Sequence, residues 1–177
     1  MLSRTSRSAI DMSKTGIRII PETPSEHADA IEALYDETFG PGHFAKTAER
    51  LREYNTSLPA LSRVAIRKDK LIAATRVWPV RVETGGDAVF VGPVAVAPES
   101  RGSKLGLKVT LAALQAARKE DWPGAILIGA PLYFGEIGFR QVPNGTLVFP
   151  GPQDQARVMI ADLAGDASIY AGKIRAA

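Results

Sequence analysis

The 177-residue chain is 45% hydrophobic and 23% charged, the usage of one globular domain with a core of ordinary size. A net charge of +3 and a pI near 9.3 are too mild for a dedicated nucleic-acid binder and fit a polyanionic cofactor equally well. Cysteine is absent and the only histidines are His27 and His43, which excludes disulfides, thiolate metal sites and a cysteine nucleophile, and leaves no metal expected.

Residues 1–15 are rich in Ser, Arg and Lys and show no apolar periodicity. They read as a flexible tail ahead of a single domain over 16–177. No h-region of about 7–15 apolar residues follows the arginines, so no secretory signal is expected. No apolar run approaches the roughly 20 residues that span a bilayer. A cysteine-free chain is compatible with the cytoplasm, the expected location.

The run 17–20 is β-prone and ends at Pro21. Thr23-Pro24-Ser25-Glu26 then carries three helix-start signals: a capping threonine, proline at the first helical position, and glutamate three residues after the cap. Ile31, Leu34, Tyr35 and Thr38 follow at helical spacing, and Gly40-Pro41-Gly42 stops the helix. A second helix is expected over 45–54, burying Ala48 and Leu51. Strands over 64–67 and 71–82 flank a tight turn at Lys68-Asp69-Lys70. Pro79 should bend the second of these or place it at an edge.

After the turn Thr84-Gly85-Gly86-Asp87, residues 88–97 are almost wholly apolar, as in a strand buried on both faces. The helix expected over Leu105–Lys119 carries Leu107, Leu111 and Leu114 on one face, with Val109, Ala112 and Ala116 beside it. A buried strand over 125–129, a short helix at most over 132–136, and a hairpin over 139–149 around Asn144-Gly145 complete the reading. The order β-α-α-β-β-β-α-β-α-β-β describes one mixed sheet with helices on both sides.

The chemistry concentrates where the 88–97 strand meets the Leu105 helix. A compact polar loop with Gly102, then Gly106 inside the helix, precedes about four helix-start N–H groups and a partial positive charge. Glycine lets a phosphate approach the backbone, and Arg101, Lys104 and Lys108 add formal charge. Taken alone, the loop equally suits an ordinary βα turn with solvated basic residues. Neither the P-loop nor the dinucleotide glycine pattern is met.

Val94-Ala95-Val96-Ala97-Pro98-Glu99-Ser100-Arg101-Gly102-Ser103-Lys104-Leu105-Gly106 resembles motif A of the GNAT N-acetyltransferases, a Val-x-Val-x-Pro strand running into Gln/Arg-x-x-Gly-x-Gly/Ala and a long helix. Ala130-Pro131-Leu132-Tyr133-Phe134-Gly135-Glu136-Ile137-Gly138-Phe139 resembles the second signature of that family, an aromatic pair followed by Gly-Phe. More weakly, 17–174 is similar to the YhbS-like branch, through Phe39-Gly40-Pro41-Gly42, the strand pair around 66–82, and Phe149-Pro150-Gly151-Pro152.

The resemblance implies an α/β GNAT acyl-CoA N-acyltransferase fold, with a central mixed, mostly antiparallel sheet flanked by helices. It implies acetyl-CoA or another acyl-CoA as co-substrate and no metal. The strand at Val94, Ala95 and Val96 would splay from 125–129 and pair with the pantetheine arm. N–H groups of Arg101, Gly102, Ser103, Lys104, Leu105 and Gly106 would hold the pyrophosphate. Two positions depart from the family pattern: Lys104 replaces a glycine, and Phe134 stands where a tyrosine would protonate the leaving thiolate. Tyr133, its neighbour, is the candidate for that proton.

The expected mechanism is direct attack by a primary amine in a ternary complex, through a tetrahedral intermediate whose oxyanion is held by backbone N–H groups near Val94 to Val96. Glu37, Glu83, Asp87 and His43 are candidate bases, although each reads first as a solvated surface residue and no spacing singles one out. The acceptor would be a small molecule or a protein. Two other readings stay open: a non-catalytic module binding CoA or an acyl thioester, and an acyltransferase served by an acidic acyl-carrier protein. No aromatic-interleaved basic stripe suggests nucleic acid. A homodimer is left open.

Overall fold

The computed structural model describes residues 15–41 and 49–177. The expected tail up to residue 14, His43 and the start of the second helix, including Ala48, lie outside the described residues. Among the described residues nine strands form one mixed sheet. Strand β1 (Ile17–Pro21) pairs antiparallel with β2 (Arg63–Arg67), β2 with β3 (Lys70–Thr84), and β3 with β4 (Gly86–Val96). β4 runs parallel to β5 (Gly124–Ile128), whose other edge takes β8 (Val158–Asp162) antiparallel.

The turn between β2 and β3 forms where expected, with Lys68 and Asp69 both at positive φ, as a two-residue hairpin of this hand requires. β3 is continuous through Pro79, which pairs with Val89. On the opposite side β2 has already stopped at Thr75 and β9 (Ala171–Ala176) begins only at Val80. Pro79 therefore sits between the two ladders on that edge, where its carbonyl accepts from Asn55 Nδ2 at 2.7 Å and the Ala177 N–H at 3.3 Å and no ladder bond calls for its N–H.

Helix α1 (Pro24–Phe39) begins at Thr23, but not through the expected capping side chains. The His27 ring accepts the Thr23 N–H at Nδ1, 2.9 Å away, so imidazole does what Glu26 was expected to do. Of the second helix, one turn remains as α2 (Glu49–Arg52), with Leu51 buried as expected. Helix α3 (Leu105–Lys119) has the expected bounds. Its buried stripe is Leu107, Val109, Thr110, Ala113, Leu114 and Ala117, while Leu111, Ala112 and Ala116 are only half-buried.

The sheet alternates with period two between two cores. Val89, Val91, Ala125, Leu127, Met159 and Ala161 pack beneath α3, whereas Ala88, Phe90, Ile126, Val158 and Ile160 face the core that holds Leu51 and Tyr170. Helices thus cover both faces.

The C-terminal third departs from expectation. Asn144-Gly145 does form a turn, but its flanks do not pair with each other. β6 (Arg140–Gln141) joins β8, and β7 (Leu147–Val148) runs parallel to β9. Strands β8 and β9 were not expected at all.

Candidate active site

The site arises where β4 and β5 part. They pair only at Val89↔Ala125 and Phe90↔Ile126, after which β5 continues along β8 alone. Ala97 N–H donates to Ile72 O at 2.8 Å, which sets the alternation of the antiparallel ladder with β3. By that alternation the Val94 and Val96 amides point away from β3, into the gap, and the Ala95 amide points toward β3.

A 3₁₀ turn, Pro98–Ser100, carries the chain from β4 toward α3. The Lys70 ammonium donates to Glu99 at 2.6 Å, and this bond holds the Glu99 carboxyl below its usual range. Gly102 and Lys104 then both take left-handed φ, +85° and +56°. Only glycine does this without strain, which explains the glycine of the family pattern at the Lys104 position. Among the described residues, no acceptor pairs with the amides of 102–107; the first helical bond is Lys108 N–H to Lys104 O at 3.1 Å. Arg101 N–H is occupied by Pro98 O at 3.4 Å.

These amides border a cavity of about 160 Å³ lined by Val96, Ser100, Arg101, Gly102, Lys104, Leu105, Gly106 and Tyr133. Seven of the expected site residues therefore meet in one place. Val94 and Ala95 lie along β4 outside the lining, and the Ser103 hydroxyl turns back to donate to Ser100 O at 2.8 Å. Ser100 was missed by sequence reasoning. Its hydroxyl accepts from Arg67 Nη2 at 3.1 Å, a partner 33 residues away that no local pattern discloses.

Gly106 forms the floor. A Cβ there would stand 2.8 Å from the Tyr133 hydroxyl and 3.4 Å from Val96 Cγ2. Helix α4 (Pro131–Phe134) thus turns Tyr133 into the cavity and Phe134 into the core. A Cβ on Gly129 would overlap the Phe134 ring, so glycine at 129 admits that ring. The two aromatic rings meet edge to face, 5.0 Å between centroids. Among the described residues the Tyr133 hydroxyl has no hydrogen-bond partner.

Lys104 does not fill the loop. Its ammonium pairs with Glu136 at 2.6 Å, in the 3₁₀ turn Gly135–Ile137 that follows α4. Two of the candidate bases lie elsewhere: Asp87 is bound by Arg81 at 2.7 Å, and Glu83 accepts the Lys173 N–H at 3.0 Å. Asp87 stands four residues before Val91, about 13 Å along β4 from the start of the gap. Glu37 is exposed on α1, and His43 lies outside the described residues. No group of three or more metal-ligating side chains occurs among the described residues, and no helix among them is long and apolar enough to cross a membrane.

No curated protein matches the sequence. Among solved structures, the chain is similar to the YhbS N-acetyltransferase of Escherichia coli in complex with CoA. That match has 23% identity and a TM-score of 0.75, covering 99% of this chain and 94% of that one. A GNAT acetyltransferase of Brucella melitensis in complex with acetyl-CoA matches at 21% identity and a TM-score of 0.63, over 91% of this chain and 96% of that one. Naa50 of Arabidopsis thaliana, in complex with a bisubstrate analogue, matches at 13% identity and a TM-score of 0.59, over 83% and 99%. The model of the Acetyltransferase (GNAT) family matches residues 28–129, which include β4, the loop and all of α3. With more than half of its length matched, the chain belongs to the GNAT acetyltransferase family.

Proposed function

We propose that this chain is an acyl-CoA-dependent N-acyltransferase of the YhbS-like branch, acting in the cytoplasm on a primary amine of a small molecule or protein. Residues 16–177 are its single domain, a reading supported by the one sheet that runs from β1 to β9. The observation that carries the proposal is the coincidence of unbonded amides at 102–107 with a cavity that Tyr133 borders.

The residues fit the co-substrate: a helix N-terminus for a diphosphate, a glycine floor that a Cβ would obstruct, and an open strand edge for the amide-bearing pantetheine arm. Acyl-CoA supplies a thioester for the amine to attack. The amides of 102–107 bind anionic oxygens, with Arg101 adding charge. The Val94 and Val96 amides orient the acyl arm and polarise its carbonyl. Tyr133 holds a proton at Oη for the departing sulfur.

Calorimetry with CoA, acetyl-CoA and an acyl-carrier protein tests this, followed by thiol release over a panel of amines. The expected result is binding of both coenzymes and amine-dependent thiol release. Binding without release would identify a sensor module, and binding of the carrier alone would overturn the CoA assignment. A Glu136→Gln variant should bind CoA a few-fold more tightly at low salt. It removes a carboxylate beside the diphosphate site and frees Lys104, and the gain should fade as salt screens it. Weaker binding would show instead that Glu136 serves to hold Lys104 out of the loop.

A further inference from the structure

The gap between β4 and β5 depends on an irregularity in β4. Between Thr75↔Val94 and Val77↔Val91, β3 uses one residue, Arg76, where β4 uses two, Gly92 and Pro93. Neither Gly92 nor Pro93 has a register partner. Gly92 stands at φ +136°, and proline offers no N–H to a ladder. Side chains meet both carbonyls. Trp78 Nε1–H donates to Gly92 O at 2.8 Å, and the Tyr35 hydroxyl donates to Pro93 O at 3.2 Å.

The two donors come from different elements, α1 and β3, on one face of the sheet. Tyr35 packs in the α1 core, 2% exposed, with the Arg76 guanidinium 5.9 Å over its ring. Burial pushes its phenol well above the usual pKa, against the pull of Arg76 and Arg52, so it stays a donor across the working pH range. Trp78, on the same face of β3 as Arg76, packs against the core that holds Leu51 and Tyr170, with Phe90 as its register partner. Neither residue lines the cavity.

We infer that Tyr35 and Trp78 are positioning residues for acyl transfer: they pin the two successive carbonyls of the Gly92–Pro93 bulge and thereby aim the Val94 and Val96 amides into the gap. The inference rests on the acyltransferase reading for its catalytic consequence, but the pinning itself can be measured without turnover.

The test uses Tyr35→Phe, Trp78→Phe and the double variant, each keeping a ring and removing a donor. Hydrogen exchange at the amides of 91–97 should quicken by about tenfold in the double variant, with α3 exchange unchanged. CoA affinity should stay within about twofold, because the diphosphate is gripped elsewhere, while kcat falls about 10- to 100-fold through misalignment. Unchanged exchange and kcat would overturn the inference, as would CoA affinity falling in step with kcat, which marks general loosening. A wild-type protein that neither binds CoA nor releases thiol would sink the acyltransferase reading, and exchange at 91–97 would then decide the pinning alone.

Discussion

Tyr133→Phe should lower kcat by about 100-fold or more, the usual loss when a positioned general acid is removed, with little change in CoA affinity. The substitution deletes one oxygen. The ring keeps its edge-to-face contact with Phe134, and the grip on the diphosphate belongs to the amides at the start of α3. The hydroxyl stands beside Gly106 at the cavity floor and is committed to no other group among the described residues, so its proton is available to a leaving sulfur. Moving the hydroxyl one residue along should not rescue the loss. Phe134 is 8% exposed and lies against Gly129 and Phe139, so Phe134→Tyr would bury a hydroxyl in an apolar core. Single-turnover thiol release with Tyr133→Phe checks the assignment; wild-type kcat would remove Tyr133 from the chemistry.

Arg76→Met should cost about 3–5 kcal/mol of stability, the usual penalty for stranding one partner of a buried ion pair. The Arg76 guanidinium meets both oxygens of Glu22, the closest contact being 3.0 Å, with side-chain exposures of 13% and 2%. Its second contact, to Glu32 at 2.5 Å, reaches a carboxylate that is 44% exposed and adds little once solvent screens it. The loss therefore comes from Glu22, left charged at the end of β1 with no cation beside it. Adding Glu22→Gln to Arg76→Met should recover most of the stability, because the double variant buries no net charge. Urea unfolding of the four proteins tests this; equal stability of the single and double variants would show that the ion pair is not the cause.

What could be read in the sequence was mostly local. The α3 bounds came out as expected because an apolar stripe, a polar loop and Trp122-Pro123-Gly124 all lie within a few residues of the helix. Six residues of the site, from Val96 to Gly106, could be named because strand, loop and helix start are contiguous in the chain, and Tyr133 came from the separate aromatic-pair signature.

The failures are non-local. Asn144-Gly145 signals a hairpin, yet β7 pairs with β9, and β9 also pairs with β3, some 90 residues earlier. β8 offers only four consecutive apolar residues before Asp162, too short a run for periodicity to separate strand from helix. The choice of Tyr133 over Phe134 is set by the absence of a Cβ at Gly129, and the path of the Lys104 side chain by Glu136, 32 residues away. The Tyr35 and Trp78 bonds to the β4 bulge likewise depend on partners that no short pattern contains.

The central claim is that the amides of 102–107 take the anionic oxygens of a coenzyme, and a backbone amide NMR titration with CoA addresses it most directly. The account predicts saturable downfield shifts at 102–107 as those N–H groups acquire charged acceptors, with the amides of β8 unmoved. Saturation with no shift at 102–107, or shifts confined to the Lys104 and Glu136 side chains, would contradict it.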